Sequence, residues 1–406
     1  MKPFEIMQDK AVSSKYKLLS FGALVAGSAL FGCGQLVGNV AQAHPPQAHA
    51  APQTTERTDP NTRVLDMSSL SNMDGLIEKI ADRRVVFVGE THDRYDHHLN
   101  QLAIIKGLYG PNTDLAIGLE FFQQPFQEYL DRYVAREIDE RELLTKSEYF
   151  DRWRYDYRLY RPILRFAREK GIPLIALNVP RELTERVASK GFEGLDETDR
   201  AQVPKEIDRN DPQYRKRIEE VFAHHPRSEE KNFEHFLDAQ LLWDEGMAER
   251  AADYLRQNPE KRMVVLAGSG HLMYGQGIPG RLLRRNPVSS AIVINSAQYG
   301  MAPGLADYLL FPERIDLPRS GLLGILLDLE GNGVAVKGFS EDSPAESVGL
   351  KKGDRVVTIA GKPVASYTDI RLSLMDHRAG EEVRVEVLRA NLILDDERLS
   401  YQVKLY

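Results

Sequence analysis

Two stretches of the chain share one pattern of hydrophobic and polar positions. Residues 85–92 read VVFVGETH and residues 264–271 read VVLAGSGH, so each is a run of β-branched and aliphatic residues that ends in Gly-x-x-His. Unbroken apolar runs of this length are typical of strands buried on both faces of a sheet. A glycine at the end of the run permits a sharp turn. Each run therefore predicts a buried strand with a histidine just beyond its carboxyl end.

Similar apolar runs alternate with stretches of helical periodicity. The further runs lie at residues 115–120, 173–178 and 291–295. Strands that alternate with helices predict a parallel sheet with helices on both faces, so the expected fold class is α/β. The carboxyl ends of parallel strands share one edge, where such sheets bind ligands. This edge is expected to collect the polar residues that end the runs, namely Glu90, His92, Glu120, Asn178 and His271.

Two of the predicted helices carry a polar residue on an apolar stripe. His98 shares a helical stripe with Leu102 and Ile105, which predicts an inward-pointing imidazole. In a long helix over residues 229–257, Asp244 falls on the stripe of apolar residues that includes Met247. A carboxylate in such a position needs a partner or a ligand, because burying it alone is costly.

The pattern changes near residues 312–318, where short strands and closely spaced turn signals replace the strand–helix alternation. The sequence therefore predicts an α/β domain over residues 63–312 and a small β-rich domain over residues 318–406.

Composition narrows the functional classes. The chain has 406 residues, 42% hydrophobic and 28% charged, as is ordinary for globular protein. The net charge of −7 and the absence of a basic stripe argue against nucleic-acid binding. The single cysteine, Cys33, excludes an internal disulfide and any site built from several cysteines.

The N-terminal segment has the features of an export signal. Lysines precede an apolar run over residues 18–31, which is too short to span a bilayer comfortably. The run ends in LFGC, similar to the bacterial lipobox although Phe31 replaces a small residue, and this predicts a signal over residues 1–32 with lipid on Cys33. Residues 33–62, rich in Ala, Pro and Gln, then read as a flexible linker. The expected location is the bacterial cell envelope, lipid-anchored on the periplasmic side of the outer membrane. Cleavage at the alternative site Ala41-Gln42-Ala43 predicts a soluble periplasmic protein instead.

Three interpretations of the predicted edge are open. Glu90, His92, Glu120 and His271 are residue types that bind zinc, manganese or iron. The same four residues are also suited to acid–base hydrolysis without a metal. The third interpretation is structural, with each residue capping a helix or a strand end.

Residues 149–160 contain six aromatic side chains interleaved with arginines. Such a segment suits a flat apolar ligand whose acid groups pair with arginine, and it is equally compatible with ordinary packing against the core.

Several separated motifs resemble those of the ChaN-like haem-binding lipoproteins. The motifs are residues 89–93 (GETHD) with His98 and Gln101, residues 176–180 (ALNVP), residues 239–240 with 243–248 (AQ, WDEGMA), Gly270-His271, and residues 277–279 (GIP). The resemblance covers roughly residues 63–310. It implies an exported lipoprotein that handles haem for iron uptake, with haem stacked at a homodimer interface and a tyrosine on the iron.

The resemblance also assigns expected roles to individual residues. Tyr274 is the expected iron ligand because a helix starting near His271 would place the two side chains together. Tyr214 and Tyr157 are the alternatives. His271 and His92 are expected beside the haem, and Arg154 and Arg158 at its propionates. On this interpretation the protein binds haem and is not an enzyme.

The wider group, similar to erythromycin esterases and to the Tiki and TraB proteins, implies a second function. In those relatives the paired Gly-x-x-His signature serves hydrolysis, in some with a divalent metal. The alternative is therefore an esterase-like or peptidase-like hydrolase that uses Glu90, His92, Glu120 and His271 with manganese or zinc.

The C-terminal domain resembles the PDZ modules of exported bacterial proteases. Residues 319–325 (RSGLLGI) look like their carboxylate-binding loop. The backbone amides of Leu323, Gly324 and Ile325 are expected to hold the C-terminus of a peptide or protein partner.

Overall fold

The computed structural model describes residues 70–110, 114–223, 232–295, 301–329, 333–391 and 395–406. The predicted signal, linker and lipidated Cys33 all lie outside these residues. Within the described part of the chain, none of the helices is long and apolar enough to cross a membrane.

The N-terminal part of the described chain alternates strands and helices. Its strands are β1 (Val85–Glu90), β2 (Leu115–Gln123), β3 (Leu174–Asn178), β4 (Arg262–Gly268), β5 (Ser290–Asn295) and β6 (Tyr308–Leu310). Its helices are α1 (Met73–Ile80), α2 (Tyr95–Leu108), α3 (Gln127–Val134), α4 (Glu140–Lys146), α5 (Tyr149–Arg152), α6 (Arg161–Lys170), α7 (Arg181–Lys190), α8 (Glu197–Arg200), α9 (Pro212–Ala223), α10 (Phe233–Gln257) and α11 (Ile278–Arg285). The sequence pattern predicted the first five strands but not β6.

These six strands form one parallel sheet in the order β3-β2-β4-β1-β5-β6. The chain winds outward from β1 to β3, returns to insert β4 between β2 and β1, and then continues on the other side of β1. Ligands of open α/β sheets bind beyond the carboxyl ends of the strands where the winding direction changes. In this sheet that place is the carboxyl end of the adjacent strands β2, β4 and β1.

The central strands are buried on both faces, as their unbroken apolar runs predict. One face packs a core that includes Val86, Val88 and Ile104, and the other packs a core that includes Phe87, Met247 and Leu282. The central strands thus have no face exposed to solvent, and helices cover both faces of the sheet.

Helix α10 is the long helix that the periodicity predicted. The Asn232 side chain accepts a hydrogen bond from the Glu234 amide and caps its N-terminus. The helix packs against the sheet through residues such as Met247 and Ala251, and Asp244 is buried on the same helix, as expected. Its direction carries Asp244 to the functional edge, where the carboxylate contacts His271.

The C-terminal part is a separate antiparallel sheet with its own core. Its elements are β7 (Ile325–Asp328), β8 (Val334–Phe339), α12 (Pro344–Ser347), β9 (Arg355–Ile359), β10 (Lys362–Pro363), α13 (Tyr367–Leu374), β11 (Glu382–Arg389) and β12 (Glu397–Lys404). The strands run in the order β12-β11-β9-β8-β7, with β10 paired to β9. The strand β7 therefore lies at the edge of the sheet. The predicted class, a parallel α/β sheet with a small β-rich module, is confirmed.

Candidate functional site

The histidine that follows β1 is held by a carboxylate from the same strand. His92 Nδ1 lies 2.6 Å from Glu90 Oε1, and the Glu90 side chain is almost fully buried. His98, buried on α2 as expected, places its Nε2 3.5 Å from Glu90 Oε2. Glu90 Oε2 has no hydrogen-bond partner among the described residues. Glu90 thus lies between two imidazoles and orients His92 through Nδ1.

The histidine that follows β4 is held in the same manner from a different element. His271 Nδ1 lies 2.6 Å from Asp244 Oδ1 on α10. The other oxygen of this carboxylate accepts a hydrogen bond from the Tyr214 hydroxyl on α9 at 2.7 Å. The two Gly-x-x-His motifs therefore give two carboxylate–histidine pairs, each using Nδ1 and leaving Nε2 for another partner.

Glu120 on β2 lies between these two pairs. Its Oε1 is 3.4 Å from His271 Nε2, and its Oε2 accepts a hydrogen bond from the Gly268 amide at 2.6 Å. One ligand atom from each of Glu90, His92 and Glu120 falls within 4.8 Å of the others, so the three side chains are close enough to share a metal ion. We call Glu90, His92, Glu120, Asp244 and His271 the cleft cluster. The predicted convergence of residues from separate strands is present.

The glycines of the two motifs allow the strand ends to approach closely. A Cβ at Gly268 would lie 3.0 Å from His92 Cε1, and a Cβ at Gly89 would lie 2.8 Å from Ser269 Oγ. Neither glycine adopts a positive φ. The expected reason for the glycines, a sharp turn, is therefore wrong, and close approach of β1 and β4 is the physical reason.

The charged side chains of the cleft cluster shift one another's pKa values. Burial alone lowers the pKa of His92, but the charge of Glu90 and its hydrogen bond outweigh burial and raise the pKa to about 9. Burial likewise lowers the pKa of His271, but the nearby charge of Asp244 outweighs burial, so the pKa of His271 is raised overall. The carboxyl groups respond in the opposite sense. Burial raises the pKa of Glu90, and the charges of His98 and His92 lower it overall.

Aromatic rings from residues 149–160 cover the His92 side of the cluster. The ring centroids of Trp153 and Tyr155 each lie 4.8 Å from the imidazole of His92. Tyr160 packs on His98 at 4.3 Å and accepts a hydrogen bond from the Trp153 indole. The segment is thus both core packing, through Tyr160, and a wall of the site, through Trp153 and Tyr155.

The loop after β4 differs from the expected helix. Residues Ser269–His271 and Met273–Gly275 form two short 3₁₀ turns, and the α-helix begins only at Ile278. Tyr274 has a left-handed backbone with φ of 60° and is 42% exposed. The expectation that a helix sets Tyr274 beside His271 is therefore wrong. Its role as an iron ligand stays a prediction, now for an exposed phenol on the loop that carries His271.

The other residues assigned to haem lie in different environments. Arg154 is exposed, has a φ of 70°, and its side chain makes no hydrogen bond or ion pair within the described part of the chain. Arg158 is already engaged, since it pairs with Asp156 at 2.7 Å and donates to the Pro318 carbonyl at 2.9 Å. The alternative tyrosines, Tyr157 and Tyr214, are buried and donate to Glu140 and Asp244.

Three residues of the site were not assigned from the sequence. Asp244 was recognised as an unusual polar residue, but its partner His271 was not. Trp153 and Tyr155 were recognised only as members of an aromatic cluster. The sequence gives no signal that distinguishes Tyr155 from the other aromatic residues of this segment, because its 38% exposure is a property of the folded chain.

The predicted peptide-binding loop contains a glycine with a left-handed backbone. Gly324 has a φ of 72°, and a Cβ there would lie 2.8 Å from Ser343 Oγ. The carbonyls of Leu323 and Gly324 accept bonds from Ala345 and Ser340, whereas their amides have no acceptor among the described residues. Ile325 begins the edge strand β7. These features fit the expected capture of a carboxylate.

Comparison with known proteins identifies both parts of the chain. The sequence model described as "Haem-binding uptake, Tiki superfamily, ChaN" matches residues 76–282, about half of the chain, and a PDZ domain model matches residues 321–405. A solved structure titled "Cofacial heme binding to ChaN of Campylobacter jejuni" covers 60% of this chain and 92% of its own, with a TM-score of 0.50 and 18% identity. At that identity the likeness shows the fold.

Curated relatives match over only part of their length. The chain is 26% identical over 268 residues to the Arabidopsis thaliana protein RETICULATA-RELATED 5, chloroplastic, which covers 60% of this chain and 33% of that protein. It is 43% identical over 102 residues to the Bacillus subtilis serine protease Do-like HtrB, which covers 21% of this chain and 22% of the protease. The chain thus spans a third or less of these relatives. The resemblance to ChaN-like and PDZ proteins is confirmed, and the family supports haem as the cofactor.

Proposed function

Because the chain belongs to the ChaN family of haem-binding uptake proteins in the Tiki superfamily, we propose that it binds haem at the edge of the sheet that carries the cleft cluster. The observation that carries this proposal is the exposed Tyr274 on the His271 loop, held at a positive φ. A bulky residue adopts that backbone at a cost, and such strain is concentrated at functional sites.

The residues present fit a haem with a phenolate ligand. Tyr274 would hold the iron, and ferric iron held by a phenolate is one of the ligation states that proteins use. Trp153 and Tyr155 lie against His92, so a planar macrocycle would stack at the imidazole where these aromatic rings now pack. Arg154, exposed and unpaired in the described part of the chain, is suited to a propionate, whereas Arg158 would first have to leave Asp156.

The proposal is tested by titrating the purified full chain with hemin and following the Soret band. We expect saturable binding that Tyr274→Phe weakens at least about tenfold, which corresponds to about 1.4 kcal/mol. Tyr254→Phe, at the far end of α10, is the matched control and should leave the affinity unchanged. Equal hemin binding by wild type and Tyr274→Phe would remove Tyr274 from the site, and no binding by wild type would refute the function.

We further propose that the protein works in the bacterial envelope, anchored by lipid on Cys33, and delivers or buffers haem during iron uptake as a homodimer. The lipobox-like run before Cys33 supports the anchor. Radiolabelled palmitate should label the wild-type protein and leave Cys33→Ser unlabelled. Labelling of neither protein would favour cleavage at the alternative site and a soluble periplasmic product. Sedimentation with and without hemin should show a dimer in the haem-bound state.

The PDZ module is proposed to bind the C-terminus of a peptide or partner protein through the Leu323–Ile325 loop. The amides of Leu323 and Gly324, which have no acceptor within the described part of the chain, support this assignment. A panel of pentapeptides with free carboxyl termini should bind, and the same peptides with amidated termini should not.

One observation favours a second function. Glu90 and Asp244 each hold a histidine through Nδ1, which is how a neighbouring carboxylate commonly orients a histidine that binds a metal. Glu90, His92 and Glu120 each place one ligand atom within 4.8 Å of the others and would hold a divalent ion such as Mn²⁺ or Zn²⁺, with His271 beside Glu120 as a fourth candidate ligand. Such an ion would supply Lewis-acid chemistry for hydrolysis. Ester and peptide substrates should be screened with each metal and with Glu120→Gln. Absence of turnover under every condition would reject this function.

A further inference from the structure

The helix α13 of the PDZ module belongs to two hydrophobic cores at once. Ile370 and Leu374 pack into the PDZ core together with Leu323 of the carboxylate-binding loop. Leu372, almost fully buried, packs instead into the core of the α/β domain together with Phe150. A shift of α13 therefore changes packing on both sides.

In the α/β domain, α13 contacts helix α5. The Thr368 hydroxyl donates to Asp151 Oδ2 at 3.3 Å, and the Arg371 guanidinium lies 5.3 Å from the centroid of the Phe150 ring. Both partners belong to α5 (Tyr149–Arg152). The PDZ helix thus holds α5 by a hydrogen bond, a cation–π contact and apolar packing.

The residues immediately after α5 cover the cleft cluster. Trp153 and Tyr155 place their rings against His92, each at 4.8 Å. We call residues 148–155 the cover segment. Two residues of the cover segment have a left-handed backbone: Glu148, just before α5, with φ of 52°, and Arg154, two residues after α5, with φ of 70°. Non-glycine residues in this conformation are strained, and a segment bracketed by them is held in place by its surroundings.

The other end of α13 is joined to the site where a peptide would bind. The Gly321 amide donates to the His377 carbonyl, and Ser320 forms a β-bridge with Arg378. The carboxylate-binding loop is therefore hydrogen-bonded to the residues that directly follow α13. Leu323 of the loop also packs in one core with Ile370 and Leu374 of α13, so a peptide that binds at the loop acts on a residue packed against this helix.

From this continuity we propose that the PDZ groove and the cleft are thermodynamically linked through α13 and the cover segment, so that a C-terminal peptide in the groove regulates binding of a planar ligand at His92. The rings of Trp153 and Tyr155 occupy the space against His92. A ligand that stacks there has to displace them, and the contacts of α13 with α5 oppose that displacement. Loosening these contacts favours the open cleft.

The regulation of haem binding rests on the proposed function, whereas the mechanical link does not. By linkage, a peptide that changes hemin affinity by some factor has its own affinity changed by the same factor when hemin is bound. The link requires no change in the cleft cluster itself.

The test uses Arg371→Ala and Thr368→Val in the full chain, with Arg398→Ala as the matched control. Arg398 lies on β12 of the same module and pairs with Glu386 away from α5. We expect each α13 variant to tighten hemin binding by roughly fivefold or more, at the low end of typical coupling between sites. The control should match the wild type. Unchanged or weakened hemin affinity in both α13 variants would overturn the proposal.

A second measurement separates failure of the link from failure of haem binding. Amide hydrogen exchange of the cover segment, measured without hemin, should be faster in Arg371→Ala than in Arg398→Ala because α5 has lost support. Faster exchange with no hemin binding by wild type would keep the link and reject the haem function. Identical exchange in both variants would reject the link whatever hemin does.

Discussion

At the scale of single residues, the site is defined by how each histidine is held. His92 and His271 both present Nδ1 to a buried carboxylate, at 2.6 Å in each case. The Gly-x-x-His pattern placed both histidines at the sheet edge but contained no information about Asp244, which reaches the site from α10. The carboxylate was noticeable in the sequence only because it interrupts an apolar stripe.

The Glu90–His92 pair makes stability depend on pH. The pKa of His92 is raised from 6.5 to about 9 by Glu90, so the folded state holds the proton more tightly than the unfolded chain. The stabilisation that protonated His92 gives the folded state is complete below pH 6.5 and is lost as the pH rises through 9. A shift of this size corresponds to at most about 3 kcal/mol, because each unit is worth about 1.4 kcal/mol.

The prediction is that His92→Gln reduces the loss of unfolding free energy between pH 6.5 and 9. Urea denaturation at several pH values, in haem-free and metal-free buffer, measures it. His377→Gln, whose side chain contacts Glu381 in the PDZ module, is the control and should keep the wild-type dependence. A wild-type protein with no loss of stability over this range would contradict the prediction.

At the scale of elements, the loop between β4 and α11 decides where His271 and Tyr274 lie. The sequence suggested a helix from His271, whereas the chain forms two 3₁₀ turns and starts α11 seven residues later, at Ile278. Periodicity did not reveal this, because Gly270, Gly275 and Gly277 permit backbone shapes that have no hydrophobic repeat.

Gly277 is the glycine on which this loop depends. A Cβ at Gly277 would lie 2.1 Å from the His271 carbonyl oxygen and 2.9 Å from Asp244 Oδ2. A Cβ at Gly270 would meet nothing within 4 Å. We expect Gly277→Ala to cost about 1–3 kcal/mol and to weaken hemin binding, because the backbone must move to relieve the clash. Gly270→Ala should do neither, and equal behaviour of the two variants in denaturation and titration would contradict the assignment.

At the scale of the whole molecule, the α/β domain and the PDZ module share buried surface. Arg161 pairs with Asp376 and Arg141 with Asp369 across the junction, and Leu372 is buried in the α/β core. The change of strand and turn pattern near residues 312–318 predicted a β-rich C-terminal part, which the second sheet confirms. It could not predict that this part and the α/β domain are packed together, because apolar residues on α13 have the same sequence pattern whichever core they enter.

Two neighbouring leucines on α13 separate the contributions of the two cores. Leu372→Ala should cost about 2–4 kcal/mol by removing packing from the domain junction. Leu374→Ala, within the PDZ core, should cost a similar amount but leave the junction intact. In calorimetry the first variant is expected to separate the unfolding of the two parts, and the second to lower the transition of the PDZ module. Identical scans for the two variants would contradict the division of α13 between cores.

The sequence by itself determined the buried parallel strands, the two histidines beyond β1 and β4, and the PDZ module, because these depend on local periodicity and on motifs of a few residues. The tertiary structure alone decided that Asp244 holds His271, that Tyr274 is exposed on a strained turn, and that α13 supports the segment over His92. Each of these depends on the distance between side chains that are remote in the chain. Such distances follow from the packing of whole helices and strands. The hydrophobic pattern shows which face of an element is buried, but it does not show which other element packs against that face.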